Sequence, residues 1–190
     1  MGLENETGRL IYLNIRKGKI VHGTKDNKKE SSSVAGVITK VEFVPEEYQG
    51  RKFEKAKITI VDGASNFVLQ MGTDSGYFRG FCNSLRNGDF TSWVKISPNF
   101  KETDGKKRST CFVEQNGKSL KHTFTKDNPG DLPAVEKVIF KGEEHYDGSK
   151  QMAYWKNWLS SVKWAVPEVS QPEVQAEETV AGGDNDDLPI

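Results

Sequence analysis

The sequence predicts an all-β domain with one helix in its middle, a second helix near its end and an acidic tail. Three observations support this fold class. β-Branched and aromatic residues recur in short runs separated by Gly, Pro and Asp, which favours strands joined by turns. One segment between these runs changes to helical spacing. After residue 166 the chain contains acids but no basic and no aromatic residue.

The first predicted strands lie in the first half of the chain. Residues 8–22 contain β-favouring runs that fit an N-terminal strand or hairpin, and the polar residues 23–33 are expected to form a flexible loop. Three strands are then predicted at residues 34–44, 52–61 and 66–71. Residues 45–50 and the dipeptide Asp62-Gly63 supply the turns between them.

A helix is predicted over residues 74–87. Its apolar residues fall at i, i+3, i+4 and i+7, which places them on one face: Phe78, Phe81, Cys82 and Leu85. Asp74 or Ser75 is expected to cap the start, because short polar side chains accept hydrogen bonds from the first turn. Gly88 is expected to be the left-handed residue that follows the end.

Two further strands follow this helix, at residues 91–97 and 109–115, and another is predicted at 135–141. The segment between the first two is expected to be a charged loop with a turn at Asp104-Gly105. The order strand, strand, strand, helix, strand, strand matches the OB-fold, a five-stranded Greek-key β-barrel. The sequence therefore predicts a barrel of the OB type.

A final helix is predicted from Asp147 or Ser149, which are expected to cap it, to about Trp164. Helical spacing recurs at Trp155, Trp158, Leu159 and Val162. This stripe is interpreted as core packing rather than as a platform for bases.

Charge divides the chain into two parts. Residues 167–190 contain seven acids and no Lys or Arg, so residues 1–166 hold all 27 basic and the other 20 acidic side chains, a net charge of +7. We expect a nucleic-acid-binding domain at 1–166 and a disordered acidic tail at 167–190. A basic body fused to an acidic tail indicates a polyanionic partner, with a second role for the tail.

Alternating side chains in the predicted strands give each strand two faces. In residues 52–61 one face is apolar, and the other carries Phe53, Lys55, Lys57 and Thr59. The later strands repeat this pattern with Trp93 and Lys95 on one face, and Phe112 opposite Cys111 and Val113. Neighbouring loops add five cations: Arg51, Lys52, Lys106, Lys107 and Arg108.

This combination is typical of proteins that bind single-stranded nucleic acid. Basic side chains neutralise phosphates, and flat rings stack on unpaired bases whatever the sequence. The OB-fold uses the faces of its second and third strands and the loops beside them. The alternative interpretations are that Phe53, Trp93 and Phe112 are half-buried under other elements, and that the lysines only solvate a strand face.

The last five residues are Asp186, Asp187, Leu188, Pro189 and Ile190. They resemble the C-terminal tip of bacterial single-stranded DNA-binding proteins, typically Asp-Asp-Ile-Pro-Phe. The resemblance implies that Asp186 and Asp187 make acidic contacts, that Pro189 shapes the tip, and that Ile190 fills the apolar pocket of replication, recombination or repair proteins. Two residues depart from the pattern, since Leu188 replaces Ile and Ile190 replaces Phe. The alternative is that the acidic tail only solubilises the chain.

Other classes of function have little support. The N-terminus has no apolar signal segment, and no apolar run is long enough to cross a membrane, so we expect the cytoplasm of a bacterium or of a phage-infected host. Cys82 and Cys111 are expected to be buried and reduced. The sequence shows no zinc spacing and no catalytic motif, so we expect no enzyme, metal or cofactor.

Three alternatives stay open at this point. The chain fits a β-sandwich module for a carbohydrate or protein ligand, or a structural phage protein with a solubilising tail. RNA in place of DNA is a variant of the leading interpretation. The sequence does not specify whether the chain forms a homo-oligomer.

Overall fold

The computed structural model describes residues 10–23, 27–63 and 65–166. Eleven strands and two helices lie in this part of the chain. The strands are β1 (Leu10–Arg16), β2 (Lys19–Gly23), β3 (Lys28–Ser31), β4 (Val34–Tyr48), β5 (Arg51–Asp62), β6 (Ser65–Gly72), β7 (Trp93–Thr103), β8 (Lys106–Gln115), β9 (Lys118–Ser119), β10 (Glu136–Phe140) and β11 (Glu143–Asp147). The helices are α1 (Gly76–Leu85) and α2 (Ser149–Ser161). The predicted acidic tail at 167–190 lies outside the described residues.

Nine of these strands form one sheet in the order β3-β2-β1-β6-β5-β4-β7-β8-β9, and β10 pairs only with β11. All neighbours in the large sheet are antiparallel except β1 and β6, which run parallel. The prediction of an all-β fold with a helix between the third and fourth long strands is confirmed at that level. Within the described residues, no ladder joins the edge strands β3 and β9.

Local turn chemistry explains the many hairpins. The predicted turn at Asp104-Gly105 is confirmed, with φ of 51° and 70° at the two residues. A two-residue hairpin of this kind needs positive φ at both positions, which Asp and Gly tolerate best. Within the described residues, four other turns repeat this pair of positive angles at a residue followed by Gly, and they close the hairpins β1–β2, β4–β5, β8–β9 and β10–β11.

The core lies on one face of the sheet. Alternate residues of β5 are fully buried there, Ala56, Ile58 and Ile60, as the period of two predicts. Helix α1 covers this core with all four residues of its predicted apolar face, each with no exposed surface. A Cβ at Gly80 would lie 2.6 Å from the amide nitrogen of Cys111, so glycine lets α1 approach β8 closely.

Ser75 caps α1, since its side chain accepts a hydrogen bond from the amide of Phe78 at 3.1 Å. The expectation that Gly88 is left-handed is wrong, because it is not among the described residues with positive φ. Helix α1 ends at Leu85, and its C-cap residue Arg86 is right-handed. Packing accounts for glycine at position 88 instead: a Cβ there would lie 2.9 Å from the side chain of Leu120.

Helix α2 packs on the same core through Trp155 and Leu159, each 1% exposed. This confirms the interpretation of the tryptophan stripe as core packing. The helix ends at Ser161 rather than near Trp164. The expected cap at Asp147 or Ser149 is wrong, because Gly148 is the N-cap and no side chain makes the capping hydrogen bond. Asp147 precedes the cap and accepts a hydrogen bond from the amide of Ser149 at 2.8 Å.

Two predicted loops are wrong. Residues 23–33 include strand β3, and the charged segment before Ser109 forms the ends of β7 and β8. In both places polar residues form strands because a neighbouring strand supplies their backbone partners: β2 for β3, and β7 and β8 for each other. Strand β4 also continues through the predicted turn at 45–50 as far as Tyr48.

The turn between β1 and β2 contacts helix α1 and strand β7, and β7 lies far from it in the strand order. The amide of Gly18 donates a hydrogen bond to the hydroxyl oxygen of Tyr77 at 2.9 Å. A Cβ at Gly18 would lie 2.7 Å from the backbone nitrogen of Phe100 in β7. The sheet is therefore curled, so that the β1–β2 turn lies against β7.

Candidate nucleic-acid interface

The surface face of β7 and β8 carries the exposed aromatic residues of the hairpin. Val94 and Ile96 of β7 point into the core, so the residues between them point outward. Trp93 is 49% exposed and Phe112 is 41% exposed. Phe112 pairs across the strands with Ser97, two residues further along β7 than Lys95. We call the side of β5, β7 and β8 that points away from the core the outer face.

Toward its tip, the outer face of the hairpin becomes basic. Lys101 pairs directly with Arg108 across the two strands, and Thr103 pairs with Lys106. By alternation these residues share the face of Trp93 and Phe112. Lys107 lies opposite Glu102 and belongs to the other face.

Beside the hairpin, the start of α1 and the adjoining stretches of β7 and β8 enclose a cleft of about 560 Å³, which we call the basic cleft. It is lined by four cationic side chains and one aromatic ring, Arg79, Lys101, Lys107, Arg108 and Phe112. Its other lining residues are glycine or neutral polar residues. No carboxylate from the described chain lines it. Gly76 permits the close fit, since a Cβ there would lie 2.2 Å from the carbonyl oxygen of Ser109.

The cations of the basic cleft have no carboxylate partner within 4.0 Å in the part of the chain that the structure describes. An adjoining smaller cleft shares Lys101 and Arg108 and adds Lys106, with Asp104 of the turn beside them. A recess lined by positive side chains focuses their electric field outward and attracts anions. The hairpin tip is therefore suited to bind phosphate groups.

The predicted lysines of β5 lie in a different electrostatic setting. Glu46 of β4 accepts contacts from both, with its carboxylate oxygens 2.7 Å from Lys55 Nζ and 3.7 Å from Lys57 Nζ. The hydrogen bond from Lys55 lowers the pKa of Glu46, and the charges of both lysines add to this. The carboxylate therefore stays ionised and offsets part of the positive charge of this strand face. Phe53 is half-buried on the same face.

Lys95 is paired in a similar way, with its Nζ 3.2 Å from a carboxylate oxygen of Glu114. Arg51 and Lys52 are exposed where β4 turns into β5. The structure therefore brings Lys107, Arg108 and Phe112 together in the basic cleft, with Lys106 beside it. The other predicted residues lie elsewhere: Phe53, Lys55, Lys57, Trp93 and Lys95 on the outer face, and Arg51 and Lys52 at the β4–β5 turn.

Two cationic residues of the basic cleft were not predicted from the sequence, Arg79 and Lys101. Lys101 continues the alternation of Trp93 and Lys95, so extending the predicted strand at 91–97 by four residues would have included it. Arg79 lies outside the apolar positions of α1, and it is the one exposed residue among the ten of this helix. The available signal in the sequence was that Arg79 is the one charged residue among the ten of this helix.

Both cysteines are buried and free of disulfides, as expected. Burial raises the pKa of the Cys111 thiol to about 12 and raises that of Cys82 as well. Neither thiol is therefore available as a thiolate near neutral pH. No cluster of three or more His, Cys, Asp or Glu residues suited to a metal ion occurs within residues 10–23, 27–63 and 65–166.

Comparisons with protein families, with curated proteins and with solved structures found no match to this chain. Neither helix of the described residues is long and apolar enough to cross a membrane.

Proposed function

We propose that this chain binds single-stranded DNA without strong sequence preference and protects it during replication, recombination or repair. The observation that carries the proposal is the basic cleft, where cations without described carboxylate partners line the same recess as the exposed ring of Phe112. Phosphates of the bound DNA would lie against Lys101 and Arg108. A base would stack on Phe112, and another on Trp93 further along the hairpin.

The exposed rings favour a single strand over a duplex. In a duplex the base faces are stacked on one another, so Trp93 and Phe112 would find no partner there. The cations alone would attract either form. Because each aromatic contact is worth roughly 1–3 kcal/mol per base in such proteins, two rings suffice to set the preference.

We further propose that β4 to β8 with α1 form an OB-type barrel. The elements follow one another in the OB order, β4 pairs with both β5 and β7, and the β1–β2 turn lies against β7. In that arrangement the turn Asp104-Gly105 joins the fourth and fifth barrel strands. This loop is one that OB-folds use to bind nucleic acid. The parallel partner of β6 is the added strand β1.

The test of binding is a fluorescence anisotropy titration of the full chain with a labelled single strand and with the corresponding duplex, across a salt series. We expect tighter binding of the single strand and an affinity that falls steeply with salt. An RNA of the same sequence measures the preference between DNA and RNA. Equal affinity for strand and duplex, or an affinity insensitive to salt, would rule the proposal out.

The tip Asp186–Ile190 lies outside the described residues, and its role is proposed from its resemblance alone. We expect it to recruit replication, recombination or repair proteins through Asp186, Asp187 and the apolar Ile190. A chain without its last five residues should keep its affinity for DNA and lose capture of these partners in pull-downs. Full retention of the partners by the truncated chain would contradict this role.

A further inference from the structure

The hairpin of β10 and β11 stands apart from the large sheet. Among the strands of the described residues, its two strands pair only with each other, and all ten of their residues are exposed. An isolated two-stranded hairpin is marginally stable in water, so a partner that covers one of its faces would stabilise it. The exposed rings of this hairpin are Tyr146 at 71% and Phe140 at 61%. The pairing of Lys137 with Tyr146 and of Phe140 with Glu143 places the two rings on opposite faces.

Arg79 connects this hairpin to the basic cleft. Its side chain lines the basic cleft on one side and a second cleft on the other, where Tyr146 lies with the beginning of α2. One guanidinium nitrogen of Arg79 lies 3.9 Å from where a Cβ of Gly148 would be. Arg79 therefore lies at the junction of the two clefts.

The two clefts differ in charge. The basic cleft holds four cations and none of its described lining residues is acidic, whereas Asp74 and Asp147 line the second cleft beside Arg79. The amide of Ser149 holds Asp147 in place and lowers the pKa of its carboxyl, so this charge is permanent near neutral pH. Carboxylates repel phosphate but accept hydrogen bonds from the N–H groups of bases, including the ring N3–H of thymine. A single strand of DNA that crosses Arg79 would thus place a phosphate against the guanidinium and turn a base toward Tyr146.

We propose that the bound single-stranded DNA leaves the basic cleft over Arg79 and that the β10–β11 hairpin holds the next base of this DNA by stacking on Tyr146. This inference rests on the proposed function and adds a second part to the same site. Arg79 neutralises a phosphate, and Tyr146 supplies a stacking face. Phe140 lies on the opposite face of the hairpin and takes no part.

Salt dependence separates the two roles. A stacking contact displaces no counterion from the DNA, so its loss leaves the salt slope unchanged. Tyr146→Ala should therefore weaken binding of a labelled oligothymidylate by about 5- to 150-fold at an unchanged slope. Arg79→Gln should lower the slope of log affinity against log salt by about 0.7. Tyr146→Phe keeps the ring and should restore the affinity.

Phe140→Ala is the matched control, because it removes a comparably exposed ring from the same hairpin and should leave the affinity unchanged. Circular dichroism of each variant checks that the fold is intact. If the unmodified chain binds the strand and Tyr146→Ala binds as tightly, the hairpin is not part of the site. An equal loss in Phe140→Ala would overturn the proposal as well, since it would show a general effect of the hairpin. If the unmodified chain does not bind the strand at all, the proposed function itself fails.

Discussion

Lys101 and Arg108 face each other directly across β7 and β8, two cations in one cross-strand pair. Like charges in this position destabilise a sheet. No described carboxylate lies close enough to either side chain to compensate. A local arrangement that costs stability is expected where a site requires it. Under the proposed function, the phosphate that the pair would bind explains why it is there.

This explanation predicts that stability and binding change in opposite directions. Lys101→Glu turns the repulsive pair into an attractive one, and it should stabilise the fold by about 0.2–1 kcal/mol. It should also weaken binding of a single strand, because it places a carboxylate in the basic cleft. Urea unfolding measures the first effect and anisotropy the second. A variant that is both more stable and equally tight in binding would show that the pair is not part of the site.

Glu46 provides a second prediction, since it compensates Lys55 and Lys57. Glu46→Gln removes the charge with little change in shape and leaves both lysines free to meet phosphates. Binding of a single strand should tighten, and the salt slope should increase by up to about 1.4, at about 0.7 per phosphate contact. Glu114→Gln is the matched comparison, because it frees one lysine, Lys95, where Glu46→Gln frees two. A slope that does not change in Glu46→Gln would place β5 outside the path of the strand.

Trp93 tests the aromatic part of the interface. Because the side chain is 49% exposed, Trp93→Ala should leave the fold intact and lower the affinity by roughly 1–3 kcal/mol. Intrinsic fluorescence of the unmodified chain should fall on binding, and much of this change should be absent in Trp93→Phe. If Trp93→Ala unfolds the domain, the residue serves packing rather than binding.

The buried thiols predict a dependence on pH. Because the pKa of Cys111 is raised to about 12 from 9.0, the folded chain keeps its thiol protonated at pH values where the unfolded chain ionises. Alkylation of the native chain should therefore be slow through mildly alkaline pH and fast in denaturant. Stability should fall as the pH rises above about 9, because only the unfolded state loses the proton. Native labelling as fast as that of the unfolded chain would contradict the burial of both thiols.

Local periodicity explains what could be predicted from the sequence. The buried face of α1 and the alternation in β5 follow from spacings of 3.6 and 2 residues, which depend only on neighbours in the chain. The turn at Asp104-Gly105 follows from residues that tolerate positive φ. These features identified α1 and the outer face of β5 correctly.

Pairing between strands, which a single segment does not reveal, explains what was missed. Lys101 and Arg108 lie in strands because β7 and β8 pair, although their own segments are polar and resemble a loop. The parallel pairing of β1 with β6 has no local signature. Glu46 reaches Lys55 and Lys57 only through the register of β4 and β5, so the sequence could not show that these lysines are compensated.

The most direct test of the account removes two charges from the basic cleft and compares them with two charges elsewhere. In Lys101→Gln/Arg108→Gln the salt slope for a single strand should fall by about 1.4, with a clear loss of affinity. Lys126→Gln/Lys163→Gln removes the same charge from exposed lysines that do not line the cleft, and it should change the slope little. Equal slopes in the two double variants would contradict the assignment of the basic cleft as the binding site.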